Sequence, residues 1–204
     1  IYPFFSGSGT LNVVSGATLK VNASTFALNY SISNITISAG SIVEYSSALI
    51  PQSVAGRTYS TLTISGGTTK TLVGTVTLSS ALNTHGNIYI NVGTLDLGTF
   101  SANRTTTTVG GNLILAVGTT LKIGALGASP FPANYSNVSL ALTSNVEYSG
   151  GAGTQGVSLY GYGNLILNGT GGAAIRTMPA TALTVNGNLV SKATAGTLSY
   201  AAVA

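Results

Sequence analysis

The second half of this chain repeats the first at an offset of 102 to 103 residues. Residues 9–21 read GTLNVVSGATLKV, and residues 111–123 read GNLILAVGTTLKI. Further along, SIVEYS at 41–46 returns as SNVEYS at 144–149. Repetition at a fixed period is typical of folds that stack similar units, in which each unit contacts only its neighbours. The chain is therefore expected to form an extended scaffold.

Short units also recur within each half. Gly-Asn-Leu opens predicted strands at 111–113, 163–165 and 187–189. The strands alternate apolar and polar residues and are separated by glycine-rich turns, and no stretch of a dozen residues has helical spacing with a cap at each end. These patterns predict an all-β fold.

The recurring tripeptide favours a parallel β-solenoid built from two repeats of about 102 residues, because a stack of similar coils reuses one strand-opening unit. The alternative is two tandem β-sandwich domains with donor-strand-type assembly, since a sandwich of about 100 residues is common. With coils of roughly 20 residues, the solenoid is expected to have about ten coils and a length near 45 Å. Unpaired strand edges at its two ends would then join further copies.

We divide the chain into an N-terminal apolar segment at 1–8, a first β repeat at 9–110 and a second at 111–204. The apolar segment contains Tyr2, Pro3, Phe4 and Phe5. It is a possible assembly segment that docks into a neighbouring copy, or else a terminal strand or cap that folds on its own chain.

The charge content excludes several classes of protein. Charged residues make up 5% of the chain, against about a quarter in ordinary soluble domains. The seven basic residues form no cluster, so nucleic acid is not expected as a partner. No apolar run approaches the length of about 20 residues that spans a bilayer, so no membrane span is expected. The chain has no cysteine to act as a nucleophile or metal ligand.

Few residues could carry catalysis. His85 is the only histidine, and a lone histidine in a predicted turn makes neither a metal site nor a catalytic triad. Glu44 and Glu147 occupy equivalent repeat positions, and a glycosidase pair would need them about 5–10 Å apart. Residues one full repeat apart should be much further apart, so we expect both to be exposed strand residues. We predict no enzymatic activity, no metal and no cofactor.

Two surface features remain candidates. The chain has seven Asn-x-Ser/Thr sequences, which are possible N-glycosylation sites: Asn22, Asn29, Asn34, Asn103, Asn134, Asn137 and Asn168. It also has ten tyrosines, and aromatic rings can stack on sugars. The alternative function is therefore a carbohydrate-binding module that uses exposed tyrosines such as Tyr160 and Tyr162. Repeat-equivalent tyrosines more often pack between strands.

Several segments carry a family resemblance. They are LDLGTFSANRT at 95–105, TLKIG at 120–124, FPANYS at 131–136, VEYS at 146–149, YGNLIL at 162–167 and LTVNGNL at 183–189. The chain from about 41 to 190 resembles the repeat regions of very large secreted surface proteins of Bacteroidota-type bacteria. The resemblance implies an extracellular repeat protein that acts as an adhesin or forms matrix.

Together these observations predict a non-enzymatic structural protein at the cell surface. It would be a self-assembling filament subunit, or an adhesin or matrix module, joined through β-strand edges. The expected partner is another copy of the chain, with surface glycans as a further possibility.

Overall fold

The computed structural model describes residues 4–106 and 110–202, and these form a parallel β-solenoid of about eight coils. Its elements in chain order are β1 (Phe5–Val13), β2 (Thr18–Val21), α1 (Phe26–Asn29), β3 (Tyr30–Ile37), β4 (Ile42–Tyr45), β5 (Gln52–Val54), β6 (Thr58–Tyr59), β7 (Thr61–Ile64), β8 (Thr69–Leu72), β9 (Val76–Leu78), β10 (Asn87–Ile90), β11 (Thr94–Asp96), β12 (Ala102–Arg104), β13 (Asn112–Leu115), β14 (Thr120–Ile123), β15 (Asn137–Leu140), β16 (Asn145–Tyr148), β17 (Gly153–Gly156), β18 (Gly161–Tyr162), β19 (Asn164–Met178), β20 (Thr184–Val185) and β21 (Leu189–Ala202).

Successive coils add strands to three main parallel sheets. Sheet 1 contains β2, β4, β7, β10, β13 and β15 in spatial order. Sheet 2 runs through β5, β8, β11, β14, β16 and β19, and β17 and β21 also pair with β19. Sheet 3 contains β6, β9 and β12, and two smaller sheets pair β1 with β3 and β18 with β20. The predicted all-β solenoid is confirmed.

The coils are longer on average than predicted. Register partners in adjacent coils lie between 18 residues apart, as for Gln52 and Lys70, and 26 residues apart, as for Thr94 and Thr120. The prediction of about ten coils was therefore too high, and about eight coils give a stack of roughly 40 Å.

The two repeats form one continuous stack. Strands β10 and β11 of the first repeat pair with β13 and β14 of the second, across the predicted boundary at residue 110. Separate β-sandwiches would have no such ladder, so the alternative architecture is wrong.

The sequence repeat is not a whole number of coils long. From β4 in sheet 1, four coils lead to β15 in the same sheet, and the next strand along the chain, β16, lies in sheet 2. Since β16 is the repeat equivalent of β4, one repeat spans four coils plus one further sheet.

The core follows from the alternation seen in the sequence. Val43, Leu62, Ile88 and Leu113 are register partners in successive strands of sheet 1, and each is fully buried. Burying a side chain of this size contributes about 1.5–3 kcal/mol. The stacked apolar columns therefore stabilise the solenoid along its length.

The Gly-Asn-Leu units have a structural cause. The amide side chains of Asn87, Asn112 and Asn137 form a ladder: Asn112 Nδ2 donates to Asn87 Oδ1 at 2.9 Å, and Asn137 Nδ2 donates to Asn112 Oδ1 at 3.0 Å. In sheet 2, Asn164 Nδ2 donates to Asn145 Oδ1 at 3.2 Å, and Asn164 Oδ1 accepts from the backbone N–H of Asn188 at 2.8 Å. The apolar residue that follows each of the first five asparagines lies in or packs against the core, whereas Leu189, which follows Asn188 at the end of the stack, is 61% exposed. Within the stack the unit therefore joins neighbouring coils through the amide outside and the apolar side chain inside.

Candidate functional site

A buried glutamine and a buried lysine together join three coils at one corner of the first repeat. Gln52 Nε2 donates to the carbonyls of Val21 and Ala23 at 2.8 and 2.7 Å, and its Oε1 accepts from Ser47 N at 2.9 Å. On the next coil, Lys70 Nζ donates to Ser47 O at 2.7 Å. Lys70 is fully buried, and this burial lowers its pKa to about 8. We call this arrangement the glutamine–cation corner.

The second repeat builds the same corner from Gln155 and Arg176. Gln155 Nε2 donates to the carbonyls of Ile123 and Ala125 at 2.9 and 2.8 Å, and its Oε1 accepts from Gly150 N at 3.1 Å. Arg176 Nη2 donates to Gly150 O at 2.6 Å. In both corners, a backbone carbonyl accepts a hydrogen bond from the buried cation, which is the arrangement expected of a structural polar group.

Arg104 is a third buried cation. Its Nε donates to His85 O at 3.2 Å and its Nη2 to Leu82 O at 3.4 Å. Gly111 has a φ of 68°, and a Cβ at this position would lie 2.5 Å from Arg104 Cδ. Glycine is therefore required here both for the backbone conformation and for the close approach of the arginine.

The repeat-equivalent tyrosines lie in the core. The hydroxyl oxygens of Tyr45 and Tyr59 are 3.2 Å apart, and those of Tyr148 and Tyr162 are 3.0 Å apart. All four side chains are fully buried, and burial raises the pKa of each phenol. Tyr162 is therefore not an exposed sugar platform, and that part of the carbohydrate interpretation is wrong.

Tyr160, the other tyrosine named for sugar binding, is half-buried. Its ring packs against Phe131, with the ring centroids 4.6 Å apart. The two tyrosines proposed to act together thus occupy different environments, and they present no shared aromatic surface.

The carboxylates take part in separate contacts on the sheet surfaces. Glu44 pairs with Lys20 at 3.3 Å on sheet 1, and Asp96 pairs with Lys122 at 3.6 Å on sheet 2. Glu147, also on sheet 2, accepts from Asn168 Nδ2 at 2.8 Å. Glu44 and Glu147 lie on different sheets and several coils apart, so they do not form a catalytic pair. Both lie in strands as predicted, but they are half-buried rather than exposed.

His85 lies in the turn before β10, as predicted, but it is half-buried rather than solvated. Among the described residues, its Nδ1 has no hydrogen-bond partner. That same part of the chain has no group of three or more His, Asp or Glu side chains that could hold a metal ion. A cavity of about 430 Å³ beside β17 and β19 is lined by Gly127, Ala128, Thr154, Gly156, Val157, Thr177, Met178 and Pro179, none of them ionisable.

The seven sequons differ in exposure. Asn34 and Asn137 are exposed, whereas Asn29 and Asn168 are buried. Asn29 Oδ1 accepts two backbone N–H groups, at 2.8 Å each. The remaining three, Asn22, Asn103 and Asn134, are half-buried and hydrogen-bonded through their side chains.

The predicted apolar segment lies at one end of the solenoid. Phe4 and Phe5 are 58% and 54% exposed, and Tyr2 and Pro3 lie outside the described residues. Phe5 begins β1, which pairs in parallel with β3 of the same chain. An apolar cavity of about 260 Å³ opens here, lined by Phe5, Leu11, Leu19, Tyr30 and Ile32.

The opposite end is formed by the 14-residue strand β21. One edge of β21 pairs with β19, and within the described residues no strand pairs with its other edge. Leu189, at its start, is 61% exposed. It lines a cavity of about 420 Å³ together with Leu167, Met178 and Ser191.

No protein-family model, curated protein or solved structure matches this chain. In the part of the chain that the structure describes, no helix has the length and apolar character needed to cross a membrane.

Proposed function

We propose that this chain is a non-enzymatic structural protein of the cell exterior, which builds a surface filament, adhesin or matrix by pairing the outer strands of its solenoid. The observation that carries the proposal is the pair of long strands at the two ends. Strand β1 has nine residues and no charge, and β21 has fourteen residues with Lys192 as its only charge. Within the described residues, each pairs along one edge only.

Proteins that remain monomeric usually protect such edges with charged side chains, proline, bulges or very short strands. Here β1 and β21 are long and contain no proline, although each has a register irregularity. Their free backbone groups can accept another strand, which is a recurring mode of protein association.

The exterior location is supported by composition and by family resemblance. A surface made soluble by serine, threonine and asparagine suits secreted proteins, and the resemblance to repeat regions of large secreted surface proteins points the same way. An adhesin or matrix protein needs reach and repetition rather than a reactive cleft, and a continuous solenoid provides both.

Negative-stain electron microscopy and light scattering of the purified chain test the proposal. We expect concentration-dependent rods of uniform width. Leu189→Pro should shorten or abolish them. Leu189 lies opposite Leu165, and Leu165 N donates to the carbonyl of Asn188, so in this parallel ladder the N–H of Leu189 faces the outer edge and proline removes that donor. Leu189→Val keeps the N–H and should assemble like the wild type. Monomers at all concentrations, or unchanged assembly of Leu189→Pro, would refute the proposal.

A further inference from the structure

The solenoid contains one junction at which the first repeat ends and the second begins. There β13 pairs with β10 and β14 pairs with β11. Ile88 lies opposite Leu113 in the core, and Asp96 lies opposite Lys122 on the surface. We call this pairing the internal junction.

Each end of the solenoid carries the repeat equivalent of one side of this junction. At the N-terminal end, Thr10–Val13 and β2 are the repeat equivalents of β13 and β14. At the C-terminal end, Gly187-Asn188-Leu189 repeats Gly86-Asn87-Ile88, and Gly196-Thr197-Leu198 repeats Gly93-Thr94-Leu95. The start and the middle of β21 thus correspond to β10 and β11.

The structure supports this equivalence at the N-terminal end through the inner neighbours of the strands. Thr10 lies opposite Asn34, as its equivalent Asn112 lies opposite Asn137. The equivalent strands therefore pair with their inner neighbours in the same register.

The inner neighbours agree at the start of β21 as well. Leu189 lies opposite Leu165, as Ile88 lies opposite Leu62. The outer neighbours differ. At the internal junction β10 and β13 pair with each other, whereas their equivalents, the start of β21 and Thr10–Val13 of β1, have no paired strand on the outer side within the described residues.

We propose that a second copy of this chain docks head to tail and reproduces the internal junction between molecules. Strand β1 of one copy pairs with the first part of β21 of the other, and β2 pairs with the later part. In this register Leu11 lies opposite Leu189 and Asn12 opposite Val190. The inference deepens the proposed function and rests on it.

A second copy fits these surfaces better than an unrelated partner. Leu113 and Ile88 are fully buried at the internal junction, whereas their end equivalents Leu11 and Leu189 are half-buried and 61% exposed. Each end has an apolar cavity beside its leucine. Stacking would cover both cavities and continue the apolar columns of the core.

Paired cysteines test the register, since the wild-type chain contains none. The variant Asn12→Cys/Val190→Cys places thiols on directly opposite outward positions of adjacent strands, about 4.8 Å apart along the ladder. The control, Asn12→Cys/Lys192→Cys, is two residues out of register, which separates the Cα atoms by about 8 Å, beyond disulfide reach. In each variant the two sites lie at opposite ends of the chain, so a disulfide between them joins two molecules.

After mild oxidation, the matched variant should give a ladder of disulfide-linked multimers on non-reducing gels, at least tenfold more than the control. Equal linking of both variants would overturn the register. Wild-type rods without linking of the matched variant would also overturn it, while leaving the proposed function intact. The absence of wild-type rods and of any linking would overturn both.

Discussion

The buried amine of Lys70 makes a quantitative prediction about stability and pH. Its pKa is about 8 in the folded chain against 10.5 when unperturbed. Between these values the unfolded state binds more protons than the folded state, so the free energy of unfolding rises with pH. For this single group, the rise from pH 7 to pH 10 is about 2–3 kcal/mol.

Urea unfolding followed by circular dichroism at pH 7, 8, 9 and 10 measures this rise. The series should stop near pH 10, because buried tyrosines with raised pKa values stabilise the fold less once the unfolded phenols ionise. Lys70→Met should abolish the rise assigned to Lys70, whereas Lys192→Met, at an exposed position, should keep it. If Lys70→Met retained the full pH dependence, the assignment to a buried, hydrogen-bonded amine would be wrong.

Three further predictions follow from the polar contacts. Gln155→Ala should lower the free energy of unfolding by about 2–4 kcal/mol in urea titrations, because it leaves buried backbone groups unpaired. Gly111→Ala should cost at least about 2 kcal/mol more than Gly118→Ala in the same assay, because both have positive φ but only Gly111 abuts the buried arginine. Expressed in a eukaryotic secretory host, the chain should carry glycan at Asn34 and none at buried Asn29, as peptide mass spectrometry would show.

The features visible in the sequence are those set by short-range periodicity. Alternation in segments such as Thr18–Val21 identified strands and their buried faces, and the recurring Gly-Asn-Leu unit identified a stack of coils. The separation of Glu44 from Glu147 followed from the repeat alone. These predictions depend only on which side chains alternate and recur. The strands, the stack of coils and the separation of the two glutamates are all present in the structure.

The glutamine–cation corners could not be predicted in the same way. Gln52 and Gln155 were visible as repeat equivalents, but nothing local shows that their amides reach carbonyls of the preceding coil. Lys70 and Arg176 are still harder to predict, because they lie 106 residues apart rather than 103 and because cations are seldom buried. Finding them requires knowing how long each coil is, and coil length varies with the loops.

The repeat length has a consequence for the shape of any longer assembly. Because one repeat spans four coils plus one sheet, equivalent surface groups move round by one sheet at each repeat. The hydrogen bond from Ser65 to Glu44 lies on sheet 1, and the equivalent hydrogen bond from Asn168 to Glu147 lies on sheet 2. With three sheets in each complete coil, the same surface would return to the same side after three repeats. A fibre built in this register would present every repeated surface feature on all its sides, which suits a protein that contacts neighbours in several directions.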